Sequence, residues 1–226
     1  MTSDSALVQK KGFLCAAIAL GLLLSIHLPF KANANECTGT VEGEVMETLH
    51  VPENAICTLK DTQIKGDIIV APKAKLYAFN VQSGGTIRVS KDATLNAFNV
   101  RINGNIAAED ATQMSVFSGS VVGGSIRVSH SGGAEIDGAE IGGDLFIDKI
   151  GRSLKVAKTS VGGDLSVLQN TGRSTLINNT IKGSLVCEGN VFSPAGGGNV
   201  VDGSMGGQCK DLHEPPPPEE DCCEIK

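Results

Sequence analysis

Residues 159–172 read TSVGGDLSVLQNTG, and this stretch decides the fold because it does not occur only once. Its GGDL returns in EIGGDLFID at 140–148 and, slightly altered, in TIKGSLVCE at 180–188. A single glycine pair before an apolar alternation is a hairpin turn, whereas a pair that returns at a fixed interval is the mark of a repeat architecture. Aligned on the last glycine of each turn, eight members follow one another: Gly66, Gly85, Gly104, Gly124, Gly143, Gly163, Gly183 and Gly203. Their spacings are 19, 19, 20, 19, 20, 20 and 20 residues. Gly43 in VEGEV reads as a ninth, degenerate member 23 residues before Gly66, and the extra length there contains Pro52 and Cys57, as a terminal cap would.

Each unit has the same inner order. The glycine is followed by a small polar residue (Asp67, Thr86, Asn105, Ser125, Asp144, Asp164 or Ser184) and then by an apolar alternation, from IIV at 68–70 to LVC at 185–187. A second alternation follows: LYA, LNA, MSV, IDG, LKV and LIN. A lone Val or Ile closes the unit, at Val81, Val100, Val121, Ile141, Val161 and Ile181. Period two places alternate side chains on one face of a strand. No window sustains a helical apolar face, and each interior glycine would cost a helix about 1 kcal/mol. A leucine-rich repeat has a similar length but needs a Leu and Asn signature that is missing here. The expected fold is therefore all-β: a single-stranded parallel β-helix (β-solenoid) of about 7–8 coils with 19–20 residues per coil. At a strand spacing of about 4.8 Å, the coils stack into a rod of roughly 35–40 Å.

The recurrent glycine marks a corner where a Cβ would crowd the neighbouring coil or where φ must be positive. The polar residue after it is expected to bond the turn backbone and its counterparts above and below, forming a ladder. A calcium-binding nonapeptide roll has a period half as long, and here Thr or Ser replaces Asp in several coils, so no metal site is expected.

The ends differ from the repeats. Lys10 and Lys11 precede a mostly apolar run at 12–30, and ANA at 32–34 supplies the small residues that a signal peptidase accepts. Residues 1–34 are read as a secretory signal, cleaved before Asn35; the alternative is an uncleaved anchor, since the run is just long enough to span a bilayer. The mature chain then divides into an N-terminal cap at 35–63, the repeats at 64–209 and a tail at 210–226. Setting Cys15 aside leaves Cys37, Cys57, Cys187, Cys209, Cys222 and Cys223, an even set suited to an oxidising compartment, periplasmic or secreted. Cys37 with Cys57 would staple the first turn, and Cys187 with Cys209 would join one rung to the next; spacing alone leaves the connectivity open. The tail, KDLHEPPPPEEDCCEIK, is an extended, solvated spacer. Its adjacent Cys222 and Cys223 either form a vicinal disulfide, link to a second chain or join His213 at a metal. The last option does not match usual zinc spacing, and no metal is expected.

Three of the 19 basic residues and one of the 25 acidic residues precede Asn35, leaving 16 and 24 in the mature chain. The excess of acid lies in the tail, the body is near neutral, and nothing supplies the basic stripe that nucleic acid or anionic lipid requires. Phe79, Phe98 and Phe117 form a column that either fills a corner of the core, the commoner arrangement, or makes a sugar-binding strip if exposed. The outward positions of the first strand (Ile69, Arg88, Ala107, Arg127, Phe146, Ser166 and Val186) carry no repeated code of the kind an ice-binding Thr array has. Acids are spread over corners, no inter-coil loop is long enough for a cleft, and His50 and His130 are isolated. There is no serine elbow, phosphate loop or HExxH motif. The chain is expected to be a non-enzyme without a cofactor.

The unit of Val or Ile, any residue, Gly, then Asp, Ser or Asn, then Ile or Leu, as in IKGDIIV and INGNIAA, resembles the bactofilins over residues 64–207. Bactofilins are polymer-forming β-helix scaffold proteins, and the resemblance implies a non-enzymatic structural module. The expected function is thus an exported structural or interaction protein at the bacterial cell envelope or outside the cell. The alternatives are a polymer-forming scaffold and a carbohydrate-binding or carbohydrate-active β-helix protein. Expected partners are an envelope protein, a glycan or another copy of the chain; membrane contact is expected only through an uncleaved signal anchor.

Overall fold

The computed structural model describes residues 35–213; the expected signal segment 1–34 and residues 214–226, with Cys222 and Cys223, lie outside the described residues. From Gly39 to Gly207 the chain alternates short strands with tight corners, and no helix occurs among the described residues. The strands form three parallel sheets of nine, each sheet taking one strand from every coil. Wall 1 runs from Gly39–Glu42 to Ala195–Gly197, wall 2 from Val45–Met46 to Val200–Val201 and wall 3 from Leu49–Val51 to Met205–Gly207. This is the parallel β-solenoid that the repeat predicts. Nine rungs at about 4.8 Å extend roughly 38 Å.

Alternation decides which side chains are buried. In the wall 1 strand Lys75–Phe79, Leu76 and Ala78 point inward and are buried, while Lys75, Tyr77 and Phe79 point outward. Parallel sheets are usually covered on both faces and read as continuous apolar runs. Here one face is packed and the other is wet, which is why a parallel sheet can be written with period two. The core is built of columns: on wall 3, Ile68, Ile87, Ile106, Ile126, Leu145 and Leu165 lie in register and are all fully buried. Each such side chain contributes about 1.5–3 kcal/mol by leaving water.

Four details differ from the sequence reading. The stretch 35–63, expected to be only a cap, supplies the first rung with Gly39–Glu42, Val45–Met46 and Leu49–Val51. Gly43 does not extend the glycine column, because the register of Leu49 with Ile68 places Glu47 beside Gly66; Gly43 sits at another corner with φ 68°. The second alternation begins two residues before IDG and LIN. The inward pairs there are Ala134 with Ile136 and Ser174 with Leu176, small residues having replaced the large one that should mark the start. The closing apolar residue is not one column either. Ile141, Val161 and Ile181 face inward from wall 2, Val81 and Val100 are buried two positions earlier at the corner, and Val121, one position earlier, faces outward.

The recurrent glycines are explained by crowding and not by φ. None of the eight in the column has positive φ, and a Cβ on Gly104 would lie 2.6 Å from the Gly85 carbonyl oxygen and 2.8 Å from its carbon. Those are backbone atoms that cannot swing away. Positive φ falls instead at the other two corners, largely on non-glycine residues such as Asn80, Asn99, His130 and Lys149.

Two substitutions test this packing by chemical denaturation. Gly104→Ala is expected to destabilise the protein by about 1–3 kcal/mol, because the added methyl overpacks a rigid corner. Ser174 occupies a buried position equivalent to Leu76, Leu95 and Leu154, and its hydroxyl has no hydrogen-bond partner among the described residues. Ser174→Ala is therefore expected to raise stability by about 1 kcal/mol, since it removes an unsatisfied buried hydroxyl.

Candidate functional site

The corner between walls 2 and 3 carries the expected polar ladder. Each small polar side chain accepts a hydrogen bond from the backbone N–H of its counterpart one coil later. Thr86 N donates to Asp67 Oδ1 at 2.8 Å, Asn105 N to Thr86 Oγ1 at 3.2 Å and Ser125 N to Asn105 Oδ1 at 2.8 Å. Asp144, Asp164, Ser184 and Ser204 continue the same pattern. The Asp positions are thereby used as acceptors in the turn. The bond from the Thr86 backbone and the contact with the Arg88 guanidinium hold the Asp67 carboxyl below its ordinary pKa of 3.8.

Phe79, Phe98 and Phe117 occupy the outer face of wall 1, half-buried, and not a corner of the core. They follow the inward residues Ala78, Ala97 and Val116, so strand parity turns them to the outside. Adjacent ring centroids are 5.1 and 4.5 Å apart with interplanar angles of 8° and 12°. Rings lying side by side on the wall could not approach so closely, so they stack face on face along the rod and present their edges to solvent. A sugar stacks on an aromatic face, and here the faces between neighbours are already occupied. The column is a stabilising stack rather than a flat platform. Above Phe117 it passes to Asp137, whose carboxylate accepts from Lys155 Nζ at 2.6 Å; that bond, with help from Glu135, raises the Lys155 pKa.

The outer face of wall 3 holds a hollow of about 660 Å³, open to solvent. It forms where Ala107 stands between Arg88 and Arg127 in the outward column. Lys91, His130 and Lys149 share its lining with Glu109, Asp110 and Asp148. Both arginines are already engaged, Arg88 with Asp67 and Arg127 over the Phe146 ring at 4.2 Å from its centroid. Charged side chains of both signs surround the hollow, with Val89, Ala107 and Ala108 among them.

The ends of the rod are built differently. Cys37 is bonded to Cys57 and Cys187 to Cys209, with Cα atoms 5.5 and 5.3 Å apart, which are the two pairings expected from position. At the C-terminal end, Gln208 Oε1 accepts from Asn190 N and Nδ2 at 2.8 and 2.9 Å, and Gln208 Nε2 donates to the Asn190 carbonyl. The Leu212 carbonyl accepts from Asn199 N and Nδ2. These contacts close two buried asparagine ladders, Asn170 with Asn190 and Asn179 with Asn199, which the sequence reading missed. The signal was present, since each pair recurs at the coil interval. At the N-terminal end, Gly39–Glu42 and Val45–Met46 are edge strands, and Glu36, Glu42, Glu44 and Glu47 are exposed around them.

No group of three or more His, Cys, Asp or Glu residues is placed to hold a metal ion among the described residues. His213 is exposed at the end of the described chain. Compared with protein-family models, with curated proteins and with solved structures, the chain finds no match.

Linkage through Asp67 has a definite sign. A carboxyl with a lowered folded pKa contributes stability that is complete above its ordinary value and lost as pH falls through the folded value. Asp67→Asn is thus expected to cost less than about 1 kcal/mol, because the pair is exposed. In denaturation curves the difference from wild type should be constant between about pH 7 and 5 and narrow below about pH 4.

Proposed function

We propose that this protein is an exported, non-catalytic β-solenoid that serves as a discrete structural or interaction module at the cell envelope or outside the cell. The observation that carries this reading is the closed C-terminal end: the last donors of both asparagine ladders are satisfied by Gln208 and Leu212, and the segment bearing them is tied down by Cys187–Cys209. A rod meant to continue into another copy would leave those groups for its neighbour. The two disulfides fit an oxidising, extracytoplasmic setting, and the basic and apolar segment ending in ANA at 32–34 agrees with export to the periplasm or beyond.

A polymer-forming scaffold is the second reading, and the edge of the first coil favours it, since among the described residues its strands Gly39–Glu42 and Val45–Met46 have a strand on one side only. Its acidic rim argues the other way. Charges on an edge strand are a common means of preventing strand addition, and at the opposite end the exposed charges among the described residues from Ala195 onward are Asp202, Lys210 and Asp211, which do not make a matching basic surface.

Size-exclusion chromatography with light scattering on the exported full chain tests the choice. A monomer under oxidising conditions is expected, and filaments that persist after reduction would overturn the discrete-module reading. Replacing Cys187 and Cys209 together by Ser is expected to cost about 3 kcal/mol in denaturant unfolding, from the loop of 22 residues that the bond closes.

A further inference from the structure

The corner between walls 1 and 2 carries a polar stripe that runs unbroken over three consecutive rungs. The corner residues in these rungs are Asp61, Asn80 and Asn99, all with positive φ, and the outward residues that follow on wall 2 are Gln63, Gln82 and Arg101. One rung below, the same two positions are Gly43 and Val45; one rung above, they are Gly119 and Val121. The stripe is thus bounded at both ends by a glycine and a valine. Hollows of about 390, 300 and 230 Å³ lie along it, and Gln82 lines all three.

The hydrogen bonds at this corner run one way. Asn80 Nδ2 donates to Asp61 Oδ1 at 3.0 Å and Asn99 Nδ2 donates to Asn80 Oδ1 at 2.8 Å. The next rung has no side chain, so Asn99 Oδ1 ends the ladder without a protein donor among the described residues. It faces a notch in which a Cβ on Gly119 would lie 2.8 Å away. Beside it, Gln63, Gln82, Arg101 and Asn103 are exposed and make no side-chain hydrogen bond to any described residue. The charged groups lining these hollows balance in sign: Glu44 and Asp61 against Lys65 and Arg101, with Lys65 bonded to Glu47 at 2.6 Å.

We propose that this three-rung stripe binds a neutral, hydroxyl-rich glycan chain lying along the rod axis, one sugar to each coil. The inference rests on the non-catalytic interaction reading above and names its ligand class. Planar amides and a guanidinium offer paired donors and acceptors that match neighbouring hydroxyls. The balance of charge gives a polyanion no advantage. An extended peptide repeats its backbone every 3.3 Å or so and falls out of step with rungs about 4.8 Å apart, whereas a sugar in an extended β-linked chain advances by roughly one rung. The Phe79, Phe98 and Phe117 stack stands across the corner as a rigid wall and is not required as a stacking platform.

Calorimetric titration of the full exported chain with the extended oligosaccharides cellohexaose and chitohexaose tests this. Binding of at least one is expected, with the trisaccharide retaining most of the affinity and the disaccharide losing it. Gln82→Ala combined with Arg101→Ala should weaken binding at least tenfold with an unchanged melting temperature, while Glu140→Ala with Thr180→Ala, farther up wall 2, should leave it intact. Failure of both hexasaccharides to bind, or binding that survives the Gln82 and Arg101 changes, would overturn the proposal. Either result is separate from the oligomeric state, which decides the discrete-module reading.

Discussion

The rod depends on each coil retracing the path of the coil beneath it closely enough for backbone N–H groups to reach carbonyls one rung away. This holds at the corners as well as along the strands. Gly85 N bonds the Gly66 carbonyl at 3.0 Å, Gly124 N that of Gly104 at 2.9 Å and Gly183 N that of Gly163 at 2.9 Å. A corner joined to its neighbour at that distance has no room for a side chain on the crowded flank, so glycine recurs there. Since each coil bonds only the coils next to it, stability accumulates along the rod through nearest-neighbour contacts, and any irregular coil weakens two interfaces.

With the backbone satisfied internally, the outward side chains are released from structural duty. The two other corners show how far that freedom goes. Asn, Asp, Lys, His and Gln occupy left-handed positions there, although such a conformation costs an L-residue roughly 1–2 kcal/mol. The rung bonds on either side hold these residues in place. In return, the coils with such a residue at the corner project a polar group into solvent there, as Asp61, Asn80 and Asn99 do. The aromatic stack on wall 1 follows the same logic, for the coil spacing sets the ring spacing.

The ends are where a solenoid must stop, and the two ends solve the problem differently. At the C-terminal end the chain turns back over its own core, places Leu212 there and terminates the asparagine ladders with Gln208 and a main-chain carbonyl. At the N-terminal end the segment Asn35 to Cys37 pairs with His50, while the remaining edge is guarded by glutamates. A disulfide ties each terminal segment to the coil it covers, which makes the caps part of the rod.

The repeat length, the period-two alternation and the placement of the cysteines were legible because each is a local pattern multiplied by the number of coils. Where a large apolar residue was replaced by Ala134 or Ser174, the reading slipped by two residues, since the alternation no longer announced its start. The inside or outside placement of Phe79, Phe98 and Phe117 was not legible as a column of aromatics, because hydrophobicity favours the core while strand parity turns these positions outward. Sequence by itself determined that the chain coils, with what period and with which cysteines at its ends. Tertiary structure alone decided which corner needs glycine for want of space and which polar side chains are used in ladders. Those outcomes depend on atoms about twenty residues apart in the chain and one rung apart in space.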